Sequence, residues 1–200
     1  MSINVCNDRS MASITSLPSG VSGSSLVLLE TQTASSSATI SFTSNIDSTY
    51  KEYIFKYTDI HPATNDVLFC VNFRDGSTAY DATKTTSFFR CRHTEGDSTT
   101  ELVYRTASDL AQSTGVKHLT TGTGNDNDQS VSGTLHLFDP SSTTFVKHFI
   151  ATNNEAHEGD GSSQSFAAGY CNVTAAIDGV QFSFSSGNID SGTIKMYGVS

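Results

Sequence analysis

The chain has 200 residues, 11 Lys and Arg against 20 Asp and Glu, and a formal charge of −9. Its cationic residues are scattered, which argues against nucleic-acid binding, where affinity comes from basic groups displacing counterions from phosphates; an anionic membrane or glycan is repelled at long range for the same reason. Charged residues make up only 16% of the chain, so solubility rests on Ser, Thr, Asn and Gly, and the charge leaves neutral glycans, cations and other proteins as partners.

Residues 1–23 are polar and without periodicity, and Pro18-Ser19-Gly20 and Gly23 precede the first strand signal. Such a stretch buries too little apolar surface to order itself, so it reads as a tail or as an arm that becomes ordered on a partner. Met11-Ala12-Ser13 looks like a translation start, which would make the first ten residues an extension. The opening lacks the basic-then-apolar pattern of a secretory leader, and no apolar run approaches the roughly 18 residues of a membrane span. No membrane insertion is expected, and synthesis and folding in a cytoplasm are.

From residue 24 to residue 200 the chain reads as one β-sandwich domain, for which its length is sufficient. LVLLET (Leu26 to Thr31) leads through a Ser-rich turn to ATISFT (Ala38 to Thr43). KEYIFKYTDI (Lys51 to Ile60) sets Tyr53, Phe55 and Tyr57 on one face and Glu52, Ile54 and Lys56 on the other, the period-two pleat of a strand. DVLFCVNFR (Asp66 to Arg74) is almost continuously apolar, as in a strand covered on both faces. Further strands are expected over Thr83 to Arg92 and Thr100 to Thr106, flanking the loop Thr94-Glu95-Gly96-Asp97. A helical turn is expected within Ala107 to Thr114, and Thr121 to Gln129, TGTGNDNDQ, reads as the most flexible stretch.

Val131 to Ile150 reads as a hairpin whose turn is Asp139-Pro140-Ser141-Ser142, because Pro140 keeps Asp139 out of the helical region. A polar loop is expected over Asn153 to Ser163, then a strand over Ser165 to Thr174. VQFSFSS, a turn over Gly187 to Gly192, and TIKMYG are expected to close the chain as a hairpin. Ten to twelve strands with hardly any helix predict an all-β, antiparallel β-sandwich, jelly-roll-like, with an extended N-terminal arm.

Cys6, Cys70, Cys91 and Cys171 show no CxxC spacing, and three lie in apolar runs, so buried free thiols are expected; a Cys70–Cys91 bridge is the other reading. If the residue numbers of facing partners in the hairpin sum to 284, His136 faces His148, and two imidazoles so placed could share a metal. A zinc site needs further ligands, and no Cys or carboxylate adjoins either residue. The loops at Glu95 to Asp97, Asn125 to Asp128 and Glu155 to Asp160 carry oxygens that suit calcium, yet an EF-hand reading from Asp126 puts Val131 and Leu137 where Gly and Glu are required. GxSxG, HExxH and glycine-rich phosphate loops are absent from the sequence. No catalytic, cofactor-binding or metal-ligating residue is assigned. Trp, the usual platform for glycan stacking, is absent, which leaves Tyr50, Tyr80, Tyr104 and Tyr197 as candidates.

Four stretches together, Gly23 to Ser44, Tyr53 to Pro62, Ser132 to Thr152 and Ala167 to Val199, resemble a group of poorly characterised proteins encoded by tailed bacteriophages of marine bacteria such as cyanobacteria and Pelagibacter. The C-terminal stretch AAGYCNVTAAIDGVQFSFSSGNIDSGTIKMYGV is its most specific part. The resemblance implies a non-enzymatic virion structural protein, a capsid decoration or fibre-like subunit on the particle surface, with other virion proteins as partners and a homo-oligomeric state. The arm suits anchoring, because a segment that folds on binding wraps a large surface. A host-surface glycan- or receptor-binding module of a tail fibre is the second expectation.

Overall fold

A computed structural model describes residues 26–200. In chain order the strands are β1 (Leu26–Thr33), β2 (Ile40–Phe42), β3 (Glu52–Pro62), β4 (Phe69–Arg74), β5 (Lys84–Thr94), β6 (Thr100–Tyr104), β7 (Lys117–His118), β8 (Val131–Phe138), β9 (Lys147–His157), β10 (Gly161–Cys171), β11 (Gly179–Phe184) and β12 (Ile189–Val199). They form two antiparallel sheets, one in the order β1-β12-β3-β8-β9-β10-β5-β6 and one in the order β2-β11-β4-β7. With β5, β6, β9 and β10 set aside, four strands face four and successive strands alternate between the sheets except at β4 and β7, which pair within the smaller sheet; this is the strand order of a jelly roll. The β5–β6 and β9–β10 hairpins widen one sheet to eight strands.

The core lies between the sheets and is built on aromatic rings. Tyr53, Phe55 and Tyr57 alternate inward on β3 as their spacing predicts, and all three are buried. Phe182 of β11 packs with its ring centroid 5.7 Å from that of Phe55, 5.9 Å from Tyr57 and 5.6 Å from Phe69, the last pair stacked. Each such fully buried ring contributes about 1.5–3 kcal/mol of transfer free energy. The nearly continuous apolar run becomes β4, in which Phe69 to Phe73 are all buried. Cys70 and Cys171 are buried free thiols and Cys91 is a half-buried one, while Cys6 and the arm boundary at residue 23 lie outside the described residues.

Several expectations are corrected. Asn153 to Ser163 is not a loop: β9 and β10 run through it and only Glu158, Gly159 and Asp160 turn. β11 and β12 are not a hairpin. β11 pairs with β2 and β4, β12 with β1 and β3, and the chain crosses between sheets near Gly187, whose φ of +70° favours glycine. Two alternating runs either side of a turn look the same in sequence whether they pair with each other or diverge. In the β8–β9 hairpin His136 faces Ile150 and Leu137 faces Phe149, so His136 and His148 are not partners. His136 instead meets Glu52, Nδ1 to Oε1 2.6 Å. The turn itself closes as expected, with Ser142 N donating to Asp139 O at 3.0 Å and Asp139 at φ +42°. Of Ala107 to Thr114 only residues 107 and 108 are helical, in the short 3-10 turn Thr106–Ser108.

Three lysines point inward and are fully buried: Lys84, Lys117 and Lys147. Each ammonium donates to backbone carbonyls, Lys84 Nζ to Ala82 O at 2.8 Å, Lys117 Nζ to Ser108 O at 2.8 Å and Lys147 Nζ to Val173 O at 2.5 Å. Lys117 Nζ also lies 4.9 Å from the centroid of the Phe88 ring. Burial pushes Lys84 and Lys117 down to about 8 and lowers Lys147 as well.

Candidate functional site

The end of the sandwich opposite Lys147 is polar inside as well as outside. On β9 the inward positions Asn153, Glu155 and His157 are buried where an apolar face would be expected. Burial of such groups is tolerable only when their hydrogen bonds are made, and these are. Asn153 Nδ2 donates to Leu119 O at 2.8 Å, and its Oδ1 accepts from the hydroxyl of Tyr57. Ser165 Oγ donates to the same Leu119 carbonyl at 2.5 Å.

Glu155 organises the segment above it. Its Oε1 accepts from Thr121 N at 2.9 Å and Thr121 Oγ1 at 2.6 Å, and its Oε2 from Thr123 Oγ1 at 3.0 Å and Gly122 N at 3.4 Å. Arg90, also buried, donates from Nη1 to Thr121 Oγ1 at 2.7 Å and from Nη2 to Glu101 at 2.5 Å. The expected flexible stretch Thr121 to Gln129 is therefore clamped at its start. It is clamped again at Gln129, whose Oε1 accepts from Asp126 N at 3.1 Å and whose own N donates to Asp126 O at 2.8 Å. At Gly124 a Cβ would fall 1.8 Å from Gln129 Oε1, so any larger residue there would displace the Gln129 carboxamide.

Above this floor the three loops singled out for their acidity converge. Glu95, Asp126, Asp128 and Asp160 rim a cleft of about 400 Å³ whose floor includes Gln129, Glu155 and His157. Backbone bonds fix the rim: Glu95 N donates to Asp160 O at 2.8 Å and Gly124 N to Ala156 O at 3.3 Å. The rim carboxylates are exposed. Burial holds His157 below the usual histidine range, with the Arg92 guanidinium acting in the same direction. A neutral imidazole fits its geometry, since Nδ1 accepts from Gly159 N at 3.2 Å.

The cleft offers carboxylate and amide acceptors to a cationic or hydroxyl-rich ligand and repels an anionic one. Among the described residues no three His, Cys, Asp or Glu side chains are grouped so as to hold a metal ion. The four candidate tyrosines are not brought together here. Tyr50 packs edge-on to Tyr53 at 5.8 Å, Tyr80 and Tyr197 lie beneath Arg74 and Lys56, and Tyr104 stands on the outward face of the large sheet. Sequence reasoning named the loops of this cleft but missed its supports, the buried Arg90 and the half-buried Thr121. The alternation within NNEAHE was the available signal, hidden because its inward members are polar. No family model, no curated protein and no solved structure matches this chain.

Proposed function

We propose that this chain is a non-enzymatic structural subunit of a tailed-phage particle, a capsid decoration or fibre-like protein displayed on the virion surface and anchored to other virion proteins by residues 1–23. The observation that supports this most directly is the place of β1 in the large sheet. β1 is an edge strand, bonded to β12 on one side only, so the preceding segment joins the domain at an open sheet margin. A segment entering there is well placed to pair with a neighbouring subunit by strand addition. The jelly-roll order is one that viral capsid domains use, which is an argument from fold alone. In this reading the protein is made in the host cytoplasm, assembles as a homo-oligomer and is carried on the released particle.

Deletion of residues 1–22 tests the anchor. The truncated protein should fold and stay soluble yet fail to join the particle when supplied in place of the full chain. Normal incorporation of the truncated form would refute anchoring by this segment.

A second reading, a receptor- or glycan-binding module, is favoured by one observation: the three acidic loops meet on a concave surface. Carboxylates and amides suit the hydroxyls of a neutral sugar, although stacking aromatics are not among the lining residues. Titration of neutral oligosaccharides followed by amide chemical shifts would show changes at residues 122–129 if this reading holds, and none there if it fails.

A further inference from the structure

One face of the eight-stranded sheet packs on the core and the other is open. Over β8, β9, β10, β5 and β6 the register fixes which side chains point outward, and among them there is no Asp, Glu, Lys or Arg. In a chain carrying 31 charged residues (11 + 20) and a net charge of −9, a charge-free area spanning five strands is a distinct surface. It is also where apolar side chains stand out. Phe89 and Phe166 are register partners with rings stacked at 4.7 Å. On β6, Leu102 is 76% and Tyr104 is 55% exposed. On β9, Ile150 is half exposed and borders a groove of about 460 Å³ that opens over Ala168.

We infer that this face is covered by the same face of a second copy of the chain. Charge selects the occupant first. Two molecules of −9 repel over most approaches, and face-to-face contact of the charge-free areas brings no like charges together at the interface. Area agrees. The four strands β9, β10, β5 and β6, spaced about 4.8 Å apart and about eight residues long, cover about 520 Å², so two faces bury about 1,000 Å², the lower limit for a specific protein pair.

Symmetry agrees as well. A two-fold axis in the contact plane, running along the strands between β5 and β10, sets Phe89 of each copy against Phe166 of the other. It also lays β6 over β9, with Tyr104 against Thr152 and Leu102 against Asn154. Aromatic pairs at the centre of an uncharged sheet-on-sheet contact are the usual anchors of such an interface. The N-terminal segment is a poorer occupant, because it enters at β1, the edge of the sheet farthest from β6.

The inference gives a surface to the homo-oligomer of the proposed function and rests on that reading only for the expectation that copies assemble. The two fail separately: pairing is read in solution, anchoring on the particle.

Sedimentation of the full-length protein between about 1 and 100 μM should give the mass of two chains. Leu102→Glu, at a position already exposed in the single chain, should weaken pairing about 100-fold, since symmetry buries two unpaired carboxylates. Ala168→Arg should act in the same direction. Cys91, the register partner of Leu102, gives an independent readout in the unmutated protein: its alkylation, located by peptide mapping, should slow as concentration rises. The protein lacking residues 1–22 should still pair. A single-chain mass at 100 μM, a two-chain mass untouched by both substitutions, or pairing lost with residues 1–22 would each overturn the inference.

Discussion

Gly133 lies against the ring of Tyr57, its register partner on β3, so closely that a Cβ at this position would fall 2.8 Å from Tyr57 Cε2. It would also fall 2.5 Å from the Thr152 carbonyl oxygen, which is backbone and cannot swing away. The glycine thus holds open the space in which Tyr57 reaches Asn153. Gly133→Ala should destabilise the protein by about 2 kcal/mol or more through overpacking. Urea denaturation measures this, and an unchanged midpoint would contradict the close approach.

Phe182 is the ring on which both sheets meet, packed with Phe42, Phe55, Tyr57 and Phe69. Phe182→Ala removes a fully buried ring from a site walled by other rings that have little freedom to collapse. The expected loss is about 3–5 kcal/mol, measured by the same denaturation. A loss below about 1 kcal/mol would mean that the core repacks.

Glu155→Gln keeps the shape of the buried side chain but turns one of its two acceptor oxygens into a donor. At least one of Thr121 N, Thr121 Oγ1, Thr123 Oγ1 and Gly122 N then faces another donor. A loss of about 2–3 kcal/mol is expected. Amide hydrogen exchange at residues 121–124 should quicken by about 30-fold or more if the clamp opens locally. Exchange no faster than in the unmutated protein would show that the segment is held by other contacts.

The buried lysines predict an unusual pH dependence. Below about pH 8 Lys84 and Lys117 are protonated in both folded and unfolded chains, so the penalty for burying their charge is fully present. Between about 8 and the ordinary lysine value of 10.5 the unfolded chain binds more protons, and stability rises with pH. Cys70 and Cys171 act oppositely. Burial pushes both thiols up to about 12, so ionisation of the unfolded thiols lowers stability above their ordinary value of 9.0. The window between pH 8 and pH 9 is therefore where stability should climb. Lys117→Met should reduce that climb, as followed by denaturation in half-unit steps. A flat or falling profile in the unmutated protein would mean the amines are not held as described.

The all-β class and the inward set of β3 were legible because Tyr53, Phe55 and Tyr57 alternate cleanly with Glu52, Ile54 and Lys56. The path between sheets was not, because pairing partners such as Phe42 and Val180 are far apart in the chain and no local pattern names them. The register of β8 and β9 was missed by two residues, since a shift of two keeps every side chain on its own face and leaves the alternation unchanged. Residues 153–163 looked like a loop because polar side chains usually face water. Here Asn153, Glu155 and His157 face the interior, and only their hydrogen-bond partners, distributed over Leu119, Thr121 and Gly159, reveal why that is tolerable.

The alternation of strands between the two sheets has a mechanical outcome. Neither sheet is a contiguous piece of polypeptide, so a protease that nicks one exposed turn, at Gly159 for instance, leaves fragments still clasped together by ladders on both sides of the core. Release requires the whole structure to open at once, and closing it again means reuniting Phe42 with Val180 across most of the molecule. Slow opening and slow reassembly let such a domain outlast its surroundings: once folded, it persists by rate.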